Sequence, residues 1–145
     1  MKTDYKTAID KFGFVIVSIK GTSMLPLLVE SRDTVKLIAP NNLKVNDVVL
    51  YERITGELVL HRIIKIKDNK YVMCGDNQFV LEKNISKEQI IALMEGYYKK
   101  ENYIPCTDLK YQKYVKRRVA SRSFRQHKFI IERHFAYIYH KIKMK

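Results

Sequence analysis

Lys20-Gly21-Thr22-Ser23-Met24-Leu25-Pro26 decides how the rest of this chain is read. It closes an apolar run, Phe12 to Ile19, whose β-branched residues predict a buried strand. Gly21 gives the chain a backbone conformation closed to other residues, or room for a second backbone to approach. Pro26 fixes its own φ and pushes Leu25 toward an extended shape. At such a strand exit the Ser23 hydroxyl is presented outward while Met24 and Leu25 anchor the corner. Two readings follow: an ordinary polar turn, or a nucleophile that needs a base and a group to orient that base.

Outward from this corner the chain predicts short strands. Asp33 to Ile38, Asp47 to Arg53, Leu58 to Ile66, Lys70 to Cys74 and Ile90 to Lys99 are rich in Val, Ile, Tyr and Leu. Thr55-Gly56 and Asp68-Asn69 stand where hairpin turns belong, and Ser86 with Gln89 caps one helical turn before the last strand. With the run before Ser23 these make six strands, the pattern of a mainly β, antiparallel barrel or folded ribbon.

His61 is the one histidine in the strand-rich part. Alternation along Leu58 to Ile64 places Val59, His61 and Ile63 on one face and Leu60, Arg62 and Ile64 on the other. A histidine flanked by aliphatics is either a satisfied core residue or a ring kept dry to handle protons. Ser23 favours the second, because a serine hydroxyl is a poor nucleophile until a base removes its proton. Gly75-Asp76-Asn77 follows the next strand and has a turn's composition. Across a tight hairpin it also falls near His61, where a carboxylate would fix the imidazole tautomer. The expected rise in cleavage runs through about pH 6 to 7, shifted upward by Asp76.

A length of 145 residues suits one domain, and 46% apolar residues with few Gly or Pro predict a folded chain. Cys74 and Cys106 form neither a disulfide framework nor a CxxC pair, which fits a reducing compartment. The apolar runs are too short to cross a bilayer, and the first eleven residues lack the apolar block of a signal peptide. The expected location is cytoplasmic. His127, His134 and His140 lack tight ligand spacing, so neither a metal nor a cofactor is expected.

Gly21-Thr22-Ser23-Met24-Leu25-Pro26, Val45-Asn46-Asp47-Val48-Val49, Leu60-His61-Arg62-Ile63, Gly75-Asp76-Asn77 and Met94-Glu95-Gly96 together resemble the ordered boxes of the type I signal peptidase superfamily, which includes the LexA-type self-cleaving repressors. Most bacterial members carry lysine where this chain has His61, so the similarity is to the histidine branch of endoplasmic-reticulum, archaeal and spore-former enzymes. The resemblance implies that Ser23 is the nucleophile, His61 the general base and Asp76 its orienter. It implies oxyanion or substrate contacts from Gly21, Thr22, Met24 and Pro26, with Glu82 as an auxiliary acid. Gly21 stands where many signal peptidases have a serine that helps the oxyanion hole, which leaves more of that work to backbone N–H groups. The family's transmembrane anchor has no counterpart in this sequence.

Charge divides the chain. Residues 1–100 carry 16 Lys and Arg against 12 Asp and Glu, and residues 101–145 carry 12 against 3. The first part is assigned as the signal-peptidase-like catalytic domain and the second as a basic helical extension, joined around Pro105. From Asp108, read as a helix cap, no Gly or Pro interrupts Leu109 to Lys143, and Phe124, Ile131, Phe135, Ile138 and Ile142 trace one helical face. That face is expected to be covered by the barrel, by a partner or by lipid.

The function expected is a serine endopeptidase that cleaves an extended leader, signal-like or propeptide segment with small residues before the scissile bond. Its expected partners are that peptide and, through the extension, an anionic membrane surface or a membrane-anchored protein. Nucleic acid ranks lower, since charge and tyrosines are present without a recognisable module. The alternatives are a self-processing regulator, or a non-catalytic module binding nucleic acid or anionic lipid through its basic extension.

Overall fold

A computed structural model describes residues 2–144. Helix α1 (Lys2–Phe12) precedes strands β1 (Val15–Ser18), β2 (Asp33–Ile38), β3 (Val48–Glu52), β4 (Leu58–Lys67), β5 (Lys70–Cys74) and β6 (Glu82–Ser86). After one 3-10 turn come β7 (Ile90–Lys99), β8 (Asn102–Pro105), α2 (Leu109–Ala120) and α3 (Arg122–Lys143). The predicted strand from Phe12 is shorter than expected. Phe12 ends α1, Gly13 takes φ +82° and donates to the Ile9 carbonyl, and β1 begins only at Val15.

All eight strands form one antiparallel sheet in the order β1-β2-β7-β3-β4-β5-β6, with β8 also paired to β7. The sheet is not closed: β1 and β6 are its edges. Strand β7 is the hub, pairing β3 through Ile90 to Leu93, β2 from Leu93 onward and β8 through Gly96 to Lys99. The two predicted hairpin turns form. Gly56 has φ +85°, and Asp68 and Asn69 are both left-handed, which matches the twist of the flanking strands.

Curling gives the sheet two buried sides. Val48 and Leu50 enter one core with Leu28, Val35, Leu37 and Ile91, while their neighbours Val49 and Tyr51 enter a second with Val59, Ile63, Met73 and Ile90. Strand alternation sends consecutive side chains opposite ways, so β3 is buried on both faces.

The charge boundary at residue 101 is not a packing boundary. β8 joins the sheet, and Tyr111 and Val115 of α2 are buried in the first core. Asp108 caps α2 by accepting from the Tyr111 N–H at 2.9 Å. Of the three covers expected for the apolar face of the extension, the barrel does not supply one in α3, which buries none of its residues. Among the described residues, no helix is long and apolar enough to cross a membrane.

Candidate functional site

Ser23 and His61 line the same open cleft, of about 590 Å³. Its walls are the end of β1 with residues 19–24, and the β3–β4 hairpin from Arg53 to His61. Gly21 takes φ +78° and a Cβ there would meet nothing, so conformation rather than close approach requires glycine at that point. Met24 is buried in the core beside Leu27 and Leu28, which anchors the corner and leaves Ser23 half-buried at its surface.

The loop after β5 holds this corner. Asn77 donates its backbone N–H to the Ser23 carbonyl at 2.8 Å and its side-chain amide to the Thr22 carbonyl at 3.2 Å. Gly75 lets the two loops meet: a Cβ there would lie 2.6 Å from the Ser23 carbonyl oxygen and 3.1 Å from His61 Nε2. Nε2 and the Ser23 backbone thus crowd the same side of Gly75. Among the described residues no hydrogen bond joins the Ser23 hydroxyl to His61, though both line the one cleft.

Glu82, not Asp76, is the carboxylate beside the His61 ring. Nδ1 lies 3.2 Å from the Tyr51 hydroxyl and 3.4 Å from Glu82 Oε1. With the ring hydrogen on Nδ1, where these acceptors stand, the Nε2 lone pair is turned toward Gly75 and the Ser23 loop. Glu82 is held by Arg53, whose Nε donates to Oε2 at 2.9 Å. That guanidinium keeps the Glu82 carboxyl below its ordinary range despite partial burial. The His61 ring is almost fully buried, and burial pulls its pKa down to about 4 even though Glu82 opposes the shift. The imidazole is therefore neutral at physiological pH, and the expected upward shift from Asp76 is reversed because desolvation outweighs it.

The Asp76 carboxylate bonds away from His61. Its two oxygens accept from Arg62 Nε and Nη2, both at 2.7 Å, and Oδ2 accepts from the Tyr114 hydroxyl at 2.8 Å. Arg62 lies on the face of β4 opposite His61, as alternation predicts, and also donates to the Asn46 carbonyl and the Tyr111 hydroxyl. From α2, Arg118 donates to the Asp76 carbonyl at 2.8 Å and reaches the Leu25 carbonyl at 3.4 Å. One arginine of the presumed extension thus ties together the two loops that meet at Gly75.

Of the residues expected to form the oxyanion or substrate contacts, Gly21, Thr22 and Met24 line the cleft. Pro26 does not; it faces a separate depression with Leu27, Tyr97 and Tyr111. Sequence reasoning missed Tyr51, Asn77 and Arg118 and left Glu82 only an auxiliary part. The sole signal for Tyr51 was alternation in β3, which sets it opposite Val59 and next to the His61 row. Among the described residues, no group of three His, Cys, Asp or Glu side chains is placed to hold a metal ion. Comparison with models of protein families, with curated proteins and with solved structures found no match to this chain.

Proposed function

We propose that this chain is a serine endopeptidase of the signal-peptidase type, with Ser23 as nucleophile and His61 as general base. One observation carries the reading: a serine at a glycine-relieved corner shares a cleft with a buried, neutral imidazole whose far nitrogen is met by an acid. Bound peptide would draw Ser23 Oγ into the hydrogen bond that is absent without it, since catalytic contacts often tighten only in the complex. Oγ then bonds to the scissile carbonyl carbon as its proton passes to Nε2. The proton is returned to the departing amine as the C–N bond breaks, and water releases the acyl group by the same route. The Ser23 backbone N–H is the expected oxyanion donor.

β1 is a sheet edge, and its end lines the cleft beside Ser23. An extended peptide added to that edge would gain main-chain hydrogen bonds, with alternate side chains meeting the wall formed by Val17, Leu58 and Leu60. Small residues before the scissile bond, a leader or propeptide as substrate, and the superfamily fold itself rest on the resemblance of the sequence boxes.

Labelling with a fluorophosphonate probe tests the chemistry without a known substrate. The expected result is one adduct on Ser23, lost in Ser23→Ala and strongly slowed in His61→Gln, with unchanged melting of Ser23→Ala. Absence of labelling in the folded wild-type protein would replace the enzyme by a non-catalytic binding module.

A further inference from the structure

Helix α3 leaves the body of the protein after its second turn. Arg125 donates to the Arg118 carbonyl at 2.8 Å, and the Phe129 ring lies 5.3 Å from that of Phe79 in the loop after β5. From there to residue 144 every side chain is exposed. At 100° per residue Phe124, Ile131, Phe135, Ile138 and Ile142 fall in one narrow stripe, and Phe124, Phe135 and Ile142 are 72%, 67% and 70% exposed. Between residues 122 and 143 there are six Lys and Arg against one Glu. Lys128 and Lys141 flank the stripe on its two sides, with Arg122 and Arg133 behind it.

The occupant must be apolar along the stripe and negative at its margins. A second copy of the chain brings the same cations to the same edges, so like charges would meet. A nucleic acid satisfies the cations but leaves the five apolar side chains in water. A bilayer that contains anionic lipid satisfies both, taking the stripe among its acyl chains and the cations at its phosphates.

We propose that α3 is an interfacial anchor that lies in the plane of an anionic phospholipid surface, with Phe124, Ile131, Phe135, Ile138 and Ile142 inserted. Its root is tied to the loop that carries Gly75, Asp76 and Asn77, so attachment would hold the cleft close to that surface. The proposal stands whether or not Ser23 is catalytic.

Flotation of the full chain with vesicles tests it. The protein should float with vesicles of phosphatidylcholine and phosphatidylglycerol, not with phosphatidylcholine alone, and should be released as salt rises from about 0.1 M to 1 M. Phe135→Asp with Ile138→Asp should lower partitioning at least about tenfold, whereas Lys65→Gln with Lys67→Gln, which removes the same two units of charge from β4, should change it little. Both pairs are exposed and should keep the wild-type melt. The chain has no tryptophan, so Phe135→Trp supplies a lone tryptophan, excited at the red edge beyond tyrosine absorption, whose emission should shift to the blue on the anionic vesicles. Failure to float at low salt, equal flotation of the Phe135→Asp, Ile138→Asp variant, or an emission that does not move would each overturn the proposal. So would a blue shift produced by an oligonucleotide or by self-association in place of vesicles.

Discussion

His61 and Arg62 are adjacent in sequence and face opposite sides of β4, and each meets a carboxylate. On the His61 side the ring is packed against Tyr51 and Glu82 through Nδ1, and among the described residues no hydrogen bond reaches Nε2. On the Arg62 side each guanidinium nitrogen has an acceptor, among Asp76, the Asn46 carbonyl and Tyr111, and Tyr114 adds a donor to Asp76. The first arrangement leaves one ring nitrogen available for a proton; the second engages both oxygens of its carboxylate. The difference teaches that proximity to a histidine in a hairpin does not assign a carboxylate, because a strand has two sides and an arginine on the other side binds more strongly.

The sharpest way to separate the two faces is to neutralise their acids in turn. Glu82→Gln should lower kcat/KM for peptide cleavage by up to about 10⁴-fold, the scale of removing the orienting acid from a serine–histidine pair, with a small change in Tm because Glu82 is only partly buried. Unchanged turnover would leave Tyr51 as the sole orienter. Asp76→Asn should do the reverse. It strands a buried guanidinium without its counter-charge and should cost about 3 to 5 kcal/mol in denaturant unfolding, while kcat/KM of the folded fraction changes far less. A stable Asp76→Asn with turnover as poor as Glu82→Gln would exchange the roles of the two faces.

A smaller effect is expected where the two faces join. Gly75→Ala places a Cβ against the Ser23 carbonyl at a distance that real structures do not tolerate. The loops must part, at about 1 to 3 kcal/mol, and the rate of Ser23 labelling should fall along with the melting temperature. Wild-type labelling in that variant would mean that Ser23 and His61 do not depend on the close approach.

The weakest effect concerns pH. An unfolded imidazole titrates near its ordinary value of about 6.5, whereas burial delays His61 to about 4. Between those values the unfolded state holds the extra proton. The contribution of neutral His61 is therefore complete above about pH 6.5 and is lost as pH falls toward 4. His61→Gln should flatten that part of the stability curve, measured by denaturant midpoints. For the same reason kcat/KM should already be level through the neutral range instead of climbing between about pH 6 and 7.

Much of the sheet was legible because its signals are local. Asp33 to Ile38, Lys70 to Cys74 and Ile90 to Lys99 form strands with the expected bounds, since apolar alternation ends there at turn residues. β6 and β8 were not. Glu82-Lys83-Asn84-Ile85-Ser86 has too little β-branched content to announce a strand, and only pairing to β5 makes it one. Asn102 to Pro105 reads as a joint because of its proline, which sits at the strand's end where it pairs with Gly96.

The sequence by itself determined the side of β4 that His61 takes and the amphipathic stripe of α3, because each depends on the period of one short segment. Only the tertiary structure decided that Glu82 reaches His61 while Asp76 goes to Arg62. Those contacts depend on how β6 registers against β5, and on α2 bringing Tyr114 and Arg118 back across the loop after β5. The α3 stripe stays bare for a tertiary reason too: Tyr111 and Val115 of α2 enter the core, whereas no residue of α3 does.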